Sequence, residues 1–243
     1  MILVSNMKDV VKAGLFAESV YHQAVPNLLM SEVSFYEPML DEETQTIGMA
    51  YYTENAIWLS FAGTRNRRNW LSNIKIIKKM YGGMFRAHKG FAECAEALQG
   101  QCEEAIAKNK DADIYIIGHS LGGAIAVLMA TFLYQKHKAR DYTLITFGQP
   151  CVTWGRHIKR YFPKRYIRVV NGSDAIPRRP GIGYSHAGSL LYLDNDQKTW
   201  RVNPTRVGTF FDRLPTLFGR FGDHSQRYYN KVLGLIEWKD YTH

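Results

Sequence analysis

At 243 residues, 46% hydrophobic and 13% aromatic, the chain is long enough to bury one α/β core, and no second domain is needed. A formal net charge of +9 favours anionic surfaces, lipid headgroups or nucleic acid. The basic residues fall in short groups (Arg65/Arg67/Arg68, Lys75/Lys78/Lys79, Arg178/Arg179) with no nucleic-acid module around them, which sets nucleic-acid binding aside.

The opening Met1–Val4 is apolar for only four residues, too short for a secretory h-region, and no stretch approaches membrane-spanning length. The expectation is a soluble protein, cytoplasmic or exported without a signal peptide, whose membrane contacts are peripheral. Residues 8–23 read as a helix, with Val11, Leu15, Ser19/Val20 and His22 in a roughly 3.6-residue rhythm. Residues 27–39 read as a loop punctuated by Pro26 and Pro38. Two strands follow, Thr46–Thr53 and Ala56–Phe61, joined by a Glu54-Asn55 hairpin turn. Residues 74–80 read as a strand interspersed with lysines.

From Gly90 to Lys108 the apolar residues Phe91, Ala95, Leu98, Cys102 and Ile106 recur at helical spacing. Cys94 and Cys102 fall two turns apart on this helix, too distant for a bridge, and with Cys151 they show no metal-ligand spacing. They read as reduced, partly buried thiols. Ile114–Ile117 is a β-favouring run, and an apolar helical segment follows Gly118–Gly123. Tyr142–Phe147 and Tyr166–Val170 are further short apolar strands, Leu190–Leu193 is another, and Ser225–Trp238 closes the chain as an amphipathic helix. Strands alternating with helices predict a mostly parallel sheet covered on both faces, with an antiparallel N-terminal hairpin, in a single domain over residues 1–243.

Chemistry concentrates at Gly118-His119-Ser120-Leu121-Gly122, a G-x-S-x-G pattern between strand and helix, the context a nucleophile elbow requires. The alternative is a glycine-rich packing turn with an idle serine. A serine hydroxyl needs a base to take its proton and a third group to orient that base. In α/β hydrolases these follow in the order Ser, acid, His.

Asp174 is the best acid candidate, just past an apolar strand, where ligand-facing residues gather in such sheets. Its bland role is a turn aspartate capping its own backbone. Asp141 precedes its strand, and Asp194 and Asp196 fall in a polar segment that reads as a surface turn. Of eight histidines, His22, His137, His157 and His243 read as solvated, and His119 points away from Ser120 in a structural role. His224 satisfies the chain order and is preferred over His186, which lies beside a strand soon after Asp174. An oxyanion hole would take the backbone N–H of Leu121 and a second donor at Gly63-Thr64, where the Thr64 hydroxyl supports the backbone N–H. An ordinary turn is the alternative there.

An ordered series of motifs resembles the class 3 (fungal-type) lipases, a branch of the α/β hydrolases. The series runs Phe61-Ala62-Gly63-Thr64, Asn69–Asn73, Ala87–Phe91, Gly118–Gly123, Thr146–Pro150, Asp174–Pro177 and Asp223–Tyr228, spanning about residues 45 to 230. The resemblance implies an α/β-hydrolase fold. It implies Ser120 as nucleophile, Asp174 as orienting acid and His224 as base, with Thr64 and Leu121 in the oxyanion hole and no metal or cofactor. It gives His186 and His88 non-catalytic places. Departures at Ala62, at Asn69 and Asn73, and at Cys151–Trp154 bear on subfamily and substrate rather than on the triad. The absence of the fungal members' secretory signal and disulfides points to a bacterial or viral-type intracellular relative.

Family members often carry a lid after the oxyanion residue, which places a small basic one at Arg65, Arg67, Arg68, Trp70 and Leu71. The arginines would attract anionic headgroups at a membrane or micelle surface while Trp70 inserts. Solvated arginines and a core Trp70 are the alternative. Phe210, Phe211, Leu214 and Phe218 either wall an acyl pocket or simply pack. The resulting expectation is a serine hydrolase of lipid or lipid-like esters. Its rivals are a phospholipase or acyltransferase with the same triad, and a non-catalytic membrane-binding relative. Oligomeric state, acyl-chain length and headgroup have no signature in these residues.

Overall fold

The computed structural model describes residues 7–63, 77–138, 140–155, 159–172, 174–181, 183–194 and 200–203, and towards the C-terminus residues 224–225, 229–230 and 233–234. Its frame is an eight-stranded sheet. In chain order the strands are β1 (Val33–Asp41), β2 (Thr46–Thr53), β3 (Ala56–Phe61), β6 (Asp113–His119), β7 (Tyr142–Phe147), β9 (Arg165–Asn171), β11 (Ser189–Leu193) and β12 (Trp200–Val202), and they lie side by side in that order. From β3 to β11 every pairing is parallel, whereas β1–β2, β2–β3 and β11–β12 are antiparallel.

The strand sequences explain this order. β3 and β7 are buried along their whole length, as expected of parallel strands covered on both faces. Successive residues of β6 serve opposite cores. Ile114 and Ile116 pack with α2 (Lys89–Ala97), α3 (Gln99–Ala107) and α4 (Leu121–Lys136), while Ile117 packs with α1 (Met7–Ser19) and with Tyr229 and Leu233. α4 is buried almost all round, as its unbroken apolar composition demands. None of the helices among the described residues is long and apolar enough to cross a membrane.

A second, four-stranded antiparallel sheet flanks the first, and the strand expected over residues 74–80 contributes to it through residues 78–80, while 74–76 lie outside the described residues. It comprises β4 (Lys78–Tyr81), β5 (Phe85–His88), β8 (Thr153–Trp154) and β10 (Tyr184–Ser185), ordered β10-β8-β5-β4. β5, β8 and β10 are two to four residues long, too short to register as periodic runs.

Three expectations need correction. Residues 27–32 are a short helical turn and a further turn, but 33–39 are not a loop, because β1 runs straight through Pro38; it is an edge strand, where a missing N–H costs no ladder bond on the open side. The expected hairpin forms as β2 and β3, and β1 adds a third antiparallel strand to it. The helix over 90–108 is broken at Leu98, whose φ of −103° and ψ of 3° turn the chain, so Cys94 and Cys102 sit on separate helices. Asp194 is no surface-turn residue, being 5% exposed and bridged to Arg201 at 2.5 Å. The forecast helix over 225–238 is helical at residues 229–230 and 233–234 but not at Ser225, and its other positions lie outside the described residues.

Candidate active site

Ser120 stands between β6 and α4 with φ 59° and ψ −124°, a left-handed conformation that non-glycine residues adopt only under tertiary constraint. The constraint is close packing. A Cβ on Gly118 would lie 2.3 Å from the Gly122 carbonyl oxygen, and one on Gly122 would lie 1.9 Å from that of Phe61. Both glycines are therefore obligatory, as the tight strand–turn–helix crossing requires. Backbone bonds from Ser120 N to Phe147 O (2.9 Å) and from Ala124 N to Ser120 O (3.2 Å) hold the turn.

Two later segments bring the partners. Asp174 follows β9, and its turn is closed by its own N–H donating to Asn171 O at 2.9 Å. Its Oδ1 accepts the Ile176 N–H at 2.9 Å. Its Oδ2 lies 2.6 Å from His224 Nδ1, and His224 Nε2 lies 2.7 Å from Ser120 Oγ. A carboxylate facing Nδ1 fixes that nitrogen as the protonated one, leaving Nε2 as the acceptor for the serine proton. All three side chains are buried, Ser120 and His224 at 3% exposure and Asp174 at 1%.

Other candidates stand elsewhere. Asp141 is exposed and pairs with Arg165 at 3.0 Å. Asp196 lies outside the described residues. The Nε2–H of His186 donates to Pro177 O at 2.7 Å. Burial, and next the charge of Arg168, push its pKa down to about 3, so it is a neutral hydrogen-bonding ring. His22 is exposed and His137 is half-buried beside Glu103. His88 is buried and stacks on Phe91 with ring centroids 4.2 Å apart.

The end of β3 adjoins the serine, since Phe61 pairs with Gly118 and a Cβ on Gly63 would lie 3.4 Å from Ser120 Cβ. Leu121 opens α4, where backbone N–H groups have no intrahelical acceptor. Thr64 lies outside the described residues, as do Arg65, Arg67, Arg68, Trp70 and Leu71 and the Phe210, Phe211, Leu214 and Phe218 group. Among the described residues no three His, Cys, Asp or Glu side chains gather to hold a metal ion.

Three positioning features escaped the sequence reading. Tyr21, in the helical turn after α1, accepts the Gly63 N–H at 2.8 Å and donates to His119 Nδ1 at 3.2 Å. His119 Nε2–H in turn donates to the His224 carbonyl at 2.6 Å. One hydrogen-bonded chain thus ties the β3 end, the elbow and the base. Tyr229 donates to Asp174 Oδ2 at 2.7 Å and accepts the Asn171 N–H at 3.1 Å. Gly148, at φ 55°, has no room for a Cβ, which would meet Asp174 Oδ2 at 2.7 Å and His224 Cε1 at 2.9 Å. The only signal in the sequence was the glycine ending an apolar strand; nothing local marks Tyr21 or Tyr229.

Comparison with known proteins adds to this geometry. The family described as Lipase (class 3) matches residues 58–184, just over half of the chain. A secreted mono- and diacylglycerol lipase of Fusarium solani is 32% identical over 178 residues, covering 66% of this chain and 52% of that protein. The lipase of Rhizomucor miehei is 29% identical over 166 residues, 62% of this chain and 45% of that protein. The chain thus spans about half the length of the curated relatives it matches. The solved Rhizomucor miehei triacylglyceride lipase superposes with a TM-score of 0.77 over 91% of this chain and 94% of that one, at 22% identity, which identifies the α/β-hydrolase fold.

Proposed function

The chain belongs to the class 3 lipase family, and on that premise we propose that it is a serine carboxylic-ester hydrolase acting on lipid or lipid-like esters. The observation that carries the reading is the continuous relay Ser120 Oγ–His224 Nε2 (2.7 Å) and His224 Nδ1–Asp174 Oδ2 (2.6 Å), with the serine held at φ 59° on its elbow.

His224 Nε2 takes the Ser120 proton as Oγ attacks the ester carbonyl carbon, and Asp174 stabilises the imidazolium. The oxyanion is held by the Leu121 N–H at the start of α4 and by Thr64 just beyond Gly63, each such donor contributing about 3 kcal/mol. His224 then protonates the leaving alcohol. Water, deprotonated by the same nitrogen, attacks the acyl-enzyme and releases the acid. No metal or cofactor is called for by any step. Arg65, Arg67, Arg68, Trp70 and Leu71 form a small basic lid that meets anionic membrane or micelle surfaces, and Phe210, Phe211, Leu214 and Phe218 line the acyl pocket. Residues 1–243 act as one domain.

The test is hydrolysis of nitrophenyl esters from short to long acyl chains, wild type beside Ser120→Ala. Turnover should fall by at least about a thousand-fold in the variant. A folded wild type with no turnover, with or without a lipid interface, overturns the reading. Product analysis with headgroup-labelled lipids and acceptor alcohols separates it from a phospholipase or an acyltransferase sharing the triad. Deleting residues 210–218 should lower turnover of long-chain esters selectively; an unchanged chain-length profile in a folded variant removes the acyl-pocket assignment.

A further inference from the structure

The small β10-β8-β5-β4 sheet has two unlike faces. Its inner face buries Tyr81, Phe85 and Ala87 in the main core. The outward side follows from the register: Met80 pairs with Arg86 and Arg86 with Trp154, so these three side chains share one face, and Lys78 joins them two residues before Met80. Lys78 Nζ lies 3.2 Å from the centroid of the Trp154 ring. Lys78 and Arg86 are exposed and neither has a carboxylate partner among the described residues, whereas neighbouring Lys79 and Lys89 are paired with Glu96 and Glu93. Between the cations Met80 is 54% exposed.

Uncompensated cations interleaved with an exposed methionine and a half-buried tryptophan meet the chemistry of one kind of partner. We infer that this outer face docks the protein on an anionic lipid surface, with Lys78 and Arg86 against headgroup phosphates and Met80 and the Trp154 ring at the headgroup–acyl boundary. A nucleic-acid duplex would satisfy the cations but would leave the exposed methionine against a hydrated groove. The choice of lipid over other polyanions rests on the lipid-ester reading above. The docking surface lies outside the triad and does not depend on it.

The experiment is vesicle co-sedimentation of the full chain, using phosphatidylcholine alone and phosphatidylcholine mixed with phosphatidylglycerol. Wild type and Ser120→Ala should bind the anionic vesicles alike, in a salt-dependent manner. Lys78→Gln with Arg86→Gln should weaken that binding about thirty-fold, roughly five-fold per charge. The double variant should keep the wild-type melting temperature and wild-type turnover of a soluble short-chain ester. Three results overturn the inference: undiminished binding by the folded double variant, equal binding to both vesicle types, or tighter binding to a DNA duplex than to anionic vesicles. Loss of binding only on replacing Arg65, Arg67 and Arg68 by glutamine also overturns it, by assigning the contact to the lid. Vesicle binding that persists in a wild type without esterase activity would sink the proposed function and leave this surface standing.

Discussion

Ser120 is held in a conformation it would not adopt alone, and the glycines on either side show what holds it. With the Gly122 Cβ position only 1.9 Å from the Phe61 carbonyl oxygen, Gly122→Ala must push α4 off β3 or abolish the turn. The expected outcome is a loss of about 4 kcal/mol or more, read by denaturant unfolding, with turnover lost in parallel. Tyr21→Phe is milder. It leaves the Gly63 N–H and His119 Nδ1 without their shared hydroxyl, a cost of about 1–3 kcal/mol in stability together with reduced turnover. His186 gives a pH signature. Its pKa of about 3 lies below the ordinary 6.5, so the unfolded chain binds a proton in that window and the folded one does not. The contribution of the neutral ring is therefore complete above pH 6.5 and declines as pH falls towards 3, on the order of 1 kcal/mol per pH unit. His186→Asn should flatten that dependence in unfolding curves taken across the window.

Among the elements, α1 has a larger task than covering a sheet face. Its last residues lead into the turn that carries Tyr21, and its middle meets the C-terminal helical segment so closely that a Cβ on Gly14 would lie 2.6 Å from Asn230 Oδ1 and 3.2 Å from Leu233 Cδ1. Glu18 accepts a hydrogen bond from Asn230 Nδ2 at 2.6 Å. The same segment carries Tyr229 to Asp174. Gly14→Val should therefore destabilise the fold by about 1–3 kcal/mol and also lower kcat, because separating the two helices moves Tyr229 off the carboxylate. Wild-type kcat in a destabilised Gly14→Val protein would uncouple packing from alignment. β1 illustrates the opposite case, an element whose local signals mislead. Pro38 reads as punctuation, yet at the open edge of a sheet it blocks nothing, and Glu37 and Asp41 beside it discourage pairing with another chain.

For the molecule as a whole, cohesion comes from two apolar cores on either side of one twisted sheet, without covalent staples. Cys94, Cys102 and Cys151 are all free. Burial raises all three thiol pKa values, that of Cys151 to about 11, which keeps them out of the reactive thiolate form. The melting temperature should be the same with and without reductant, and native protein should react with a thiol reagent far more slowly than unfolded protein. A melting temperature lowered by reductant would contradict this picture. The main sheet also explains why the site sits where it does. Ser120 and Asp174 both follow the carboxyl ends of parallel strands, β6 and β9, so the sheet itself delivers them to one edge.

Much of this was legible in the chain. Long apolar strands kept their forecast bounds at Thr46–Thr53, Ala56–Phe61 and Tyr142–Phe147, because hydrophobic runs this long have only a buried strand to form. The elbow was legible for a related reason: glycines flanking a serine between strand and helix carry their own steric explanation. The order Ser120, Asp174, His224 could be proposed from chain position alone. Other features needed tertiary structure. Three strands of the small sheet, β5, β8 and β10, are two to four residues long and have no period to detect. Tyr21 and Tyr229 gain their partners across tens of residues through the packing of α1 and the C-terminal helical segment. Asp194 became buried by meeting Arg201 from the adjacent strand β12. A local pattern reports what a segment can bury by itself; which polar groups meet is decided only when separate segments close over the same sheet.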